Sequence, residues 1–403
     1  MEGAPVVEAP SPLPRSPAPP VTTPLNPGAG LGTPSLLAEE GERVYVASRW
    51  LLIWWRFRKH KLALLSGIVL IGFYSIVLAA DFLSTNPADQ SDALYGMAPP
   101  QPVYWFDGLS FSPYIHPIQG SRDPLTLKRG YVADTDTRIP VRLFAPGFDY
   151  QVFGLFSLNR HLLGLEEVPG QGTRLFLLGT DVQGRDLWSR LMNATRTSLT
   201  IGLVGVTLSL LFGVVLGGLS GFYGGFADIV IQRVIEILRS VPTIPLWMGL
   251  AAALPPNWSV TQVYFGITLI LSLVAWTEMA RVVRGRFLSL REEDFVTAAM
   301  VAGAGQLRTI FRHMLPSFYS HIIAATTLAL PAMILSETAL SFLGLGLRPP
   351  AVSYGVLLQQ AQNVQSVALA PWLLLPAVPV VVAVLAFNFL GDGIRDAADP
   401  YGV

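Results

Sequence analysis

A chain of 403 residues that is 51% hydrophobic and only 13% charged is too apolar for a soluble globule, where charged residues run to about a quarter of the total. Its 27 lysines and arginines equal its 27 aspartates and glutamates, so no overall field draws it to nucleic acid and any electrostatic bias is local. The absence of cysteine excludes disulfides, thiolate metal sites and cysteine nucleophiles.

Residues 1–43 read as a disordered, proline-rich cytoplasmic tail. Pro10, Pro12, Pro14, Pro17, Pro19 and Pro20 leave too little apolar surface to offset the entropy of ordering. A docking segment for a partner that reads extended proline runs is the alternative. The first apolar run begins at Leu62, beyond the region where a secretory signal would carry one, so the first helix is expected to remain as an anchor. Residues 44–82 are read as a lead-in and transmembrane helix 1. Leu62 to Ala80 has the length that crosses a bilayer, and the basic flank of Arg49, Arg56, Arg58, Lys59 and Lys61 places the N-terminus in the cytoplasm. Trp50, Trp54 and Trp55 suit the headgroup level, so Val44 to Lys61 is expected to lie along the inner surface.

Residues 83–196 hold no spanning run and form an extracytoplasmic insertion. Short alternating pieces, Arg138 to Phe144 and Arg174 to Leu178, are punctuated by Pro140, Pro146 and Gly147 and predict a small strand-bearing layer. Residues 197–391 carry five further apolar stretches: Ser198 to Gly221, Ile229 to Leu254, Val263 to Ala280, Ile322 to Leu345 and Pro371 to Leu390. The expected fold class is an all-α polytopic membrane protein with six transmembrane helices, with residues 392–403 as a cytoplasmic C-terminal tail. Arg281, Arg284, Arg286, Arg291, Arg308 and Arg312 lie between helices 4 and 5, and Arg395 follows helix 6, as the positive-inside bias requires.

Gly213, Gly217 and Gly221 recur every fourth residue in helix 2, which puts three bare backbone positions on one packing face. Pro242, Pro245, Pro331, Pro376 and Pro379 each remove a backbone donor and invite a kink. Kinked, glycine-lined helices suit a moving pathway, yet such residues are commoner in membrane helices generally, and both readings stand. Glu337 in helix 5 should face the bundle interior. It is the candidate pathway-facing residue, able to meet a substrate amine, with an interhelical hydrogen bond as the other reading. Glu236 with Arg239 and Glu278 with Arg281 are each one turn apart and read as local pairs.

The connection 292–316 has its own start and stop signals. Glu292, Glu293 and Asp294 suit a helix N-terminus, Phe295, Ala298, Ala299 and Ala302 share one face, and Gly303 supplies a left-handed end. A second helical turn, Leu307 to Phe311, leads to Pro316. A short amphipathic helix whose apolar face is mostly alanine fits a shallow groove on another protein; the alternative is a helix lying on lipid, for which the face is small and lacks tryptophan.

At these residues the chain resembles the permeases of bacterial ABC importers. Thr297, Ala298, Ala299, Gly303, Ile310, Leu315 and Pro316 occupy the places of that family's loop motif. Leu178 to Asp186, Gly221 to Gly225, Glu337 to Gly346 and Asn388 to Asp396 are similar to stretches of its C-type permeases for dipeptides, oligopeptides and nickel. The resemblance runs from about Leu51 to Tyr401, omitting most of 83–174. It implies the type I importer fold, coupling to ATPase subunits through the loop residues Phe295, Thr297, Ala298, Ala299, Ala302, Gly303, Ile310, Leu315 and Pro316, and import of peptides or similar solutes. The implied partners are a homologous permease in a heterodimer, two ATPase subunits and an extracytoplasmic substrate-binding protein. Thr297 stands where the family has glutamate, which leaves docking to shape and to Glu293 or Asp294. The insertion is longer than the family's usual one; contact with the binding protein, a lid over the mouth and packing against the partner permease all remain open.

No Gly-x-x-x-x-Gly-Lys-[Ser/Thr] loop occurs, so no cofactor is expected on this chain, and ATP and magnesium are assigned to the partner ATPases. Catalysis by the chain itself is not expected. An ATP-independent channel or secondary transporter is the rival class. An intramembrane enzyme is weaker, because His60, His116, His161, His313 and His321 are scattered and no nucleophile has a base beside it.

Overall fold

The computed structural model describes residues 49–122, 124, 129–152, 154–166 and 174–398. The tail expected over 1–43 lies outside them. The chain divides into two compact units, 1–52 and 53–403. Of the first, the described residues are the opening turn of a helix.

In chain order the elements are α1 Arg49–Lys59, α2 Lys61–Leu83, strands β1 Tyr104–Asp107, β2 Ser110–Ile115, β3 Ile118–Arg122, β4 Arg129–Ala133, β5 Ile139–Val152 and β6 Phe156–Leu165, then α3 Leu187–Tyr223, α4 Gly225–Ser240, α5 Thr243–Ala252, α6 Val260–Leu290, α7 Asp294–Val301, α8 Tyr319–Phe342, α9 Tyr354–Gln359, α10 Val364–Leu369 and α11 Ala377–Ala398. Among the described residues five helical segments are long and apolar enough to cross a membrane: α2, α3, α6, α8 and Pro371–Ala398. The stretch expected as the third span, Ile229 to Leu254, is instead the pair α4 and α5, bent by 90° at its break. Val241 has extended backbone there and Pro242 precedes α5, so the α4 ladder stops before a residue with no amide hydrogen to continue it.

Helix directions follow from who touches whom. A Cβ on Gly213 would meet Met279 at 2.6 Å, and one on Gly221 would meet Phe287 at 2.6 Å, so α3 and α6 run parallel. Gly202 faces Ile334 and Gly205 faces Met333, so α8 runs antiparallel to α3. A Cβ on Gly67 would lie 3.8 Å from Leu390 and one on Gly393 would abut Ala63, so α11 runs antiparallel to α2. The glycine face of helix 2 is thus turned to α6, where the Gly217 position meets the Ala280 backbone itself and no side chain has room.

Helices outrun their apolar windows. α3 opens at Leu187, eleven residues before the expected Ser198, which ends the insertion at 186 instead of 196. Asp186 explains the difference: its carboxylate accepts from the amides of Trp188 at 3.3 Å and Ser189 at 3.0 Å and caps the helix. With 37 residues at ~1.5 Å each, α3 is about 55 Å long and extends well past a ~30 Å hydrocarbon core. α6 continues to Leu290, so Arg281, Arg284 and Arg286, expected in a connection, ride on its last turns.

The insertion is a four-stranded antiparallel sheet in the order β1-β2-β5-β6 plus the hairpin β3-β4. Ile115, Ile139, Val141 and Leu175 form its small core. Arg138 to Phe144 enters β5 as expected, whereas Arg174 to Leu178 makes no strand and packs as a connection. The sheet is tied to the end of α2: the His161 ring sits between the carbonyls of Asp81 (2.9 Å) and Phe148 (3.0 Å), and Arg196 of α3 grips the Asp81 carboxylate at 2.6 and 3.1 Å. This end of the bundle lies opposite the end that carries α7.

Candidate functional site

Helix α7 is held as a rigid bracket on the ends of α3 and α6. Glu293 is its N-cap in extended backbone, Asp294 supplies negative charge in its first turn, and neither makes a side-chain cap. Its C-terminus is a full Schellman turn: Gly303 has φ of +85°, its amide donates to the Met300 carbonyl (3.0 Å), and the Ala304 amide donates to Ala299 (3.0 Å). Val296 is fully buried and packs into a cluster with Phe222, Val283, Phe287, Ile310, Met314 and Phe318. Sequence reasoning passed over Val296, whose signal is its place on the face opposite Ala298 and Ala302.

The loop residues divide by exposure. Phe295, Thr297, Ala298 and Ala302 are exposed, and Ala299, three residues after Val296 on a neighbouring face, is half-buried. Ile310 is buried and Leu315 and Pro316 are half-buried against the bundle. These last three therefore anchor the loop to the bundle. Val301, Leu307 and Phe311 add exposed apolar surface beside the α7 face, at 84%, 65% and 60% exposure. The turn expected over Leu307 to Phe311 is one part of a longer helical path, Gln306–Arg308, a π-helical stretch Thr309–Met314, and Leu315–Ser317, which ends where Phe318 leaves helical backbone. Phe318 stacks edge-on to Phe287 at 5.6 Å, fixing this path to α6.

A bidentate ion pair braces the same end. Arg284 donates to both oxygens of Asp228 at 2.6 and 2.7 Å, joining α6 to α4, and Ser220 of α3 also donates to Asp228. The local pairs expected of Glu236 with Arg239 and Glu278 with Arg281 do not form. Glu236 accepts from Arg233 at 2.7 Å, and Arg239 and Glu278 instead line a cavity of about 800 Å³ bounded by α3, α5, α6 and α8. The wall is largely aliphatic, with Trp247, Thr277 and Ser336 among its polar groups and Arg395 at its edge.

Glu337 does not open onto this cavity, although its neighbour Ser336 does. Glu337 is fully buried and accepts from Ser198 at 2.9 Å and Ser341 at 2.8 Å. Ser198 in turn accepts from the Tyr354 amide at 3.1 Å, and the Tyr354 hydroxyl donates to Thr195 at 2.9 Å. The carboxylate thus stitches α3, α8 and α9 together. A second buried knot occupies Leu178 to Asp186. Asp181 accepts from the amides of Gln183 and Arg185 and from the Arg185 guanidinium at 2.7 Å, and Trp372 donates to the Thr180 carbonyl at 2.9 Å. Burial pushes the Asp186 carboxyl above the usual carboxylate range, against hydrogen bonds from Ser189 and Thr85 that hold it down.

Residues 213–401 match the family described as binding-protein-dependent transport system inner membrane component, and residues 48–100 match the N-terminal transmembrane domain of oligopeptide transport permease C. The oligopeptide transport system permease protein OppC of Bacillus subtilis is 34% identical over 263 residues, 65% of this chain and 81% of that protein. The dipeptide transport system permease protein DppC of Haemophilus influenzae is 37% identical over 230 residues, 57% of this chain and 75% of its own length. Among solved structures, an inward-facing MetNI methionine ABC transporter chain aligns at 18% identity with a TM-score of 0.42, covering 52% of this chain and 96% of that one.

Proposed function

Because this chain belongs to the family of binding-protein-dependent transport system inner membrane components, we propose that α7 is the lever by which partner ATPases drive it. It is a permease subunit of an ABC importer for peptides, as its relatives are named for oligopeptide and dipeptide transport. The observation that carries the lever reading is a short helix with one side locked by Val296 into the bundle and the other side bare alanine and Phe295. Small side chains let a groove on another protein close over the helix, and the buried side transmits its displacement to α3 and α6 without slack.

Six crossings are part of the proposal, with the bent pair α4 and α5 as one of them. Support comes from α3 and α6 running parallel, which obliges the chain between them to return along the bundle. With six, both ends and α7 lie on the cytoplasmic side, where Arg281, Arg284, Arg286, Arg308 and Arg312 satisfy the positive-inside bias. The sheet then lies outside, on the side from which a substrate-binding protein would deliver. A homologous permease would supply the other half of the path, and two ATPases would hold the ATP and magnesium for which this chain has no phosphate loop. Closure of the ATPases would move α7 and rock the helices between inward-open and outward-open forms. With Thr297 at the family's glutamate place, Glu293 and Asp294 at the start of α7 carry the negative charge available for docking.

The test is ATP-driven peptide uptake by the assembled transporter. Ala298→Arg, which changes only an exposed position, is expected to abolish coupled uptake while the subunit still inserts and assembles with its partner permease. Normal uptake by that variant removes the lever reading.

A further inference from the structure

Two carboxylates on the long apolar helices, Glu337 of α8 and Glu278 of α6, have opposite surroundings. Glu337 is enclosed and accepts from two serine hydroxyls. Glu278, the one acidic residue of α6, is exposed although Trp276, Thr277, Met279 and Ala280 around it are buried, and the surface it meets is the 800 Å³ cavity. Among the described residues it makes neither an ion pair nor a side-chain hydrogen bond. The arginine two turns along its helix, Arg284, is engaged by Asp228. A carboxylate that faces a largely aliphatic chamber with no protein partner stays available to a cation that arrives and leaves. Arg239 and Arg395 line the same cavity, so the chamber presents both signs of charge, which complements a solute that carries an amine at one end and a carboxylate at the other. Its volume is within the ~300–1,000 Å³ of small-ligand sites.

We propose that Glu278 receives the free α-amino group of a peptide in transit, with Arg239 and Arg395 facing its carboxylate end. The inference rests on the permease reading and on peptides as cargo. Neither the sheet nor α7 enters it, and Glu278 acts by binding alone, with no proton or bond transferred.

The measurement is uptake into proteoliposomes by the complete transporter with its binding protein. One peptide is offered with a free amino terminus and again N-acetylated, to the wild type, Glu278→Gln and Glu278→Asp. The binding protein is the same throughout, so its own preference cancels when the free-to-acetylated uptake ratio of a variant is divided by that of the wild type. That ratio is expected to fall about tenfold in Glu278→Gln, the size of one charge-assisted hydrogen bond, and to recover in part in Glu278→Asp. A Gln variant that transports with an unchanged ratio overturns the proposal. So does an equal loss for both peptides, which would assign Glu278 to a contact with another subunit. If the Gln variant fails to insert, the Asp variant decides alone: a ratio lowered from the wild type supports the role, and an unchanged one overturns it. A wild-type assembly that imports neither peptide overturns instead the peptide cargo of the preceding subsection, and the two failures are thereby separate.

Discussion

A single methyl group separates tolerated from forbidden at the α3–α6 contact. At Gly217 an added Cβ would fall on the Ala280 main chain, which no rotamer change can move aside, whereas at Gly285, on the exposed side of α6, it would meet nothing within 4 Å. Overpacking a close contact costs about 1–3 kcal/mol. Gly217→Ala is therefore expected to lower the thermal unfolding midpoint of the purified subunit in detergent, and Gly285→Ala, which gains helix propensity without a clash, to keep or raise it; equal midpoints would show that the helices can part at no cost. The spacing of Gly213, Gly217 and Gly221 was legible in the sequence because a period of four marks one helix face. The interhelical partner of Glu337 was not, since Ser198 lies 139 residues away and only the fold brings its hydroxyl to 2.9 Å. The pairs Glu236–Arg239 and Glu278–Arg281 looked natural on a helical wheel, yet Glu236 takes the other local arginine, Arg233, three residues before it, and Glu278 faces a cavity that only the fold creates.

At the scale of the element, α7 works only if it is both bare on one side and fixed on the other. The bare side could be read from Phe295, Ala298, Ala299 and Ala302, because they repeat at helical spacing. The fixing side could not, because Val296 finds its partners Ile310, Met314 and Phe287 in other segments. Val296→Asp would place a carboxylate without partners in this cluster, a penalty of several kcal/mol that detaching α7 avoids. Limited trypsin digestion is expected to cut at exposed Arg308 and Arg312 faster in Val296→Asp than in wild type or Val296→Ile. An unchanged cutting rate would mean that the loop is held elsewhere. The stop of α7 was legible for a local reason: Gly303 sits at φ +85°, a conformation that costs a side-chain-bearing residue roughly 1–2 kcal/mol. The break between α4 and α5 was legible only as a kink at Pro242, because the 90° turn is set by what each half packs against.

At the scale of the whole molecule, the helix directions make the sheet and α7 mark opposite ends of one bundle. α2 leads from the end shared with Gly393 to the sheet, and α3 leads from the sheet back to Phe222 beside the α7 cluster. Composition separated these ends in part: the connection around α7 is short enough for its arginines to report the cytoplasmic side, whereas the long insertion, which carries arginines too, is marked by its aromatic and turn residues. Absence of native cysteine makes the arrangement directly measurable, because one introduced thiol is the only one in the chain. Leu109, fully exposed at the turn between β1 and β2, and Ala298, exposed on α7, are positions where a small thiol disturbs no packing. In intact cells a membrane-impermeant maleimide is expected to label Leu109→Cys at once and Ala298→Cys only after the membrane is opened. Labelling of Ala298→Cys from outside with Leu109→Cys protected would invert the molecule and place α7 beyond the reach of any cytoplasmic ATPase. Labelling of both from outside would mean that the bent pair α4 and α5 does not alter the side on which α7 emerges, leaving five crossings and no lever on the cytoplasmic side.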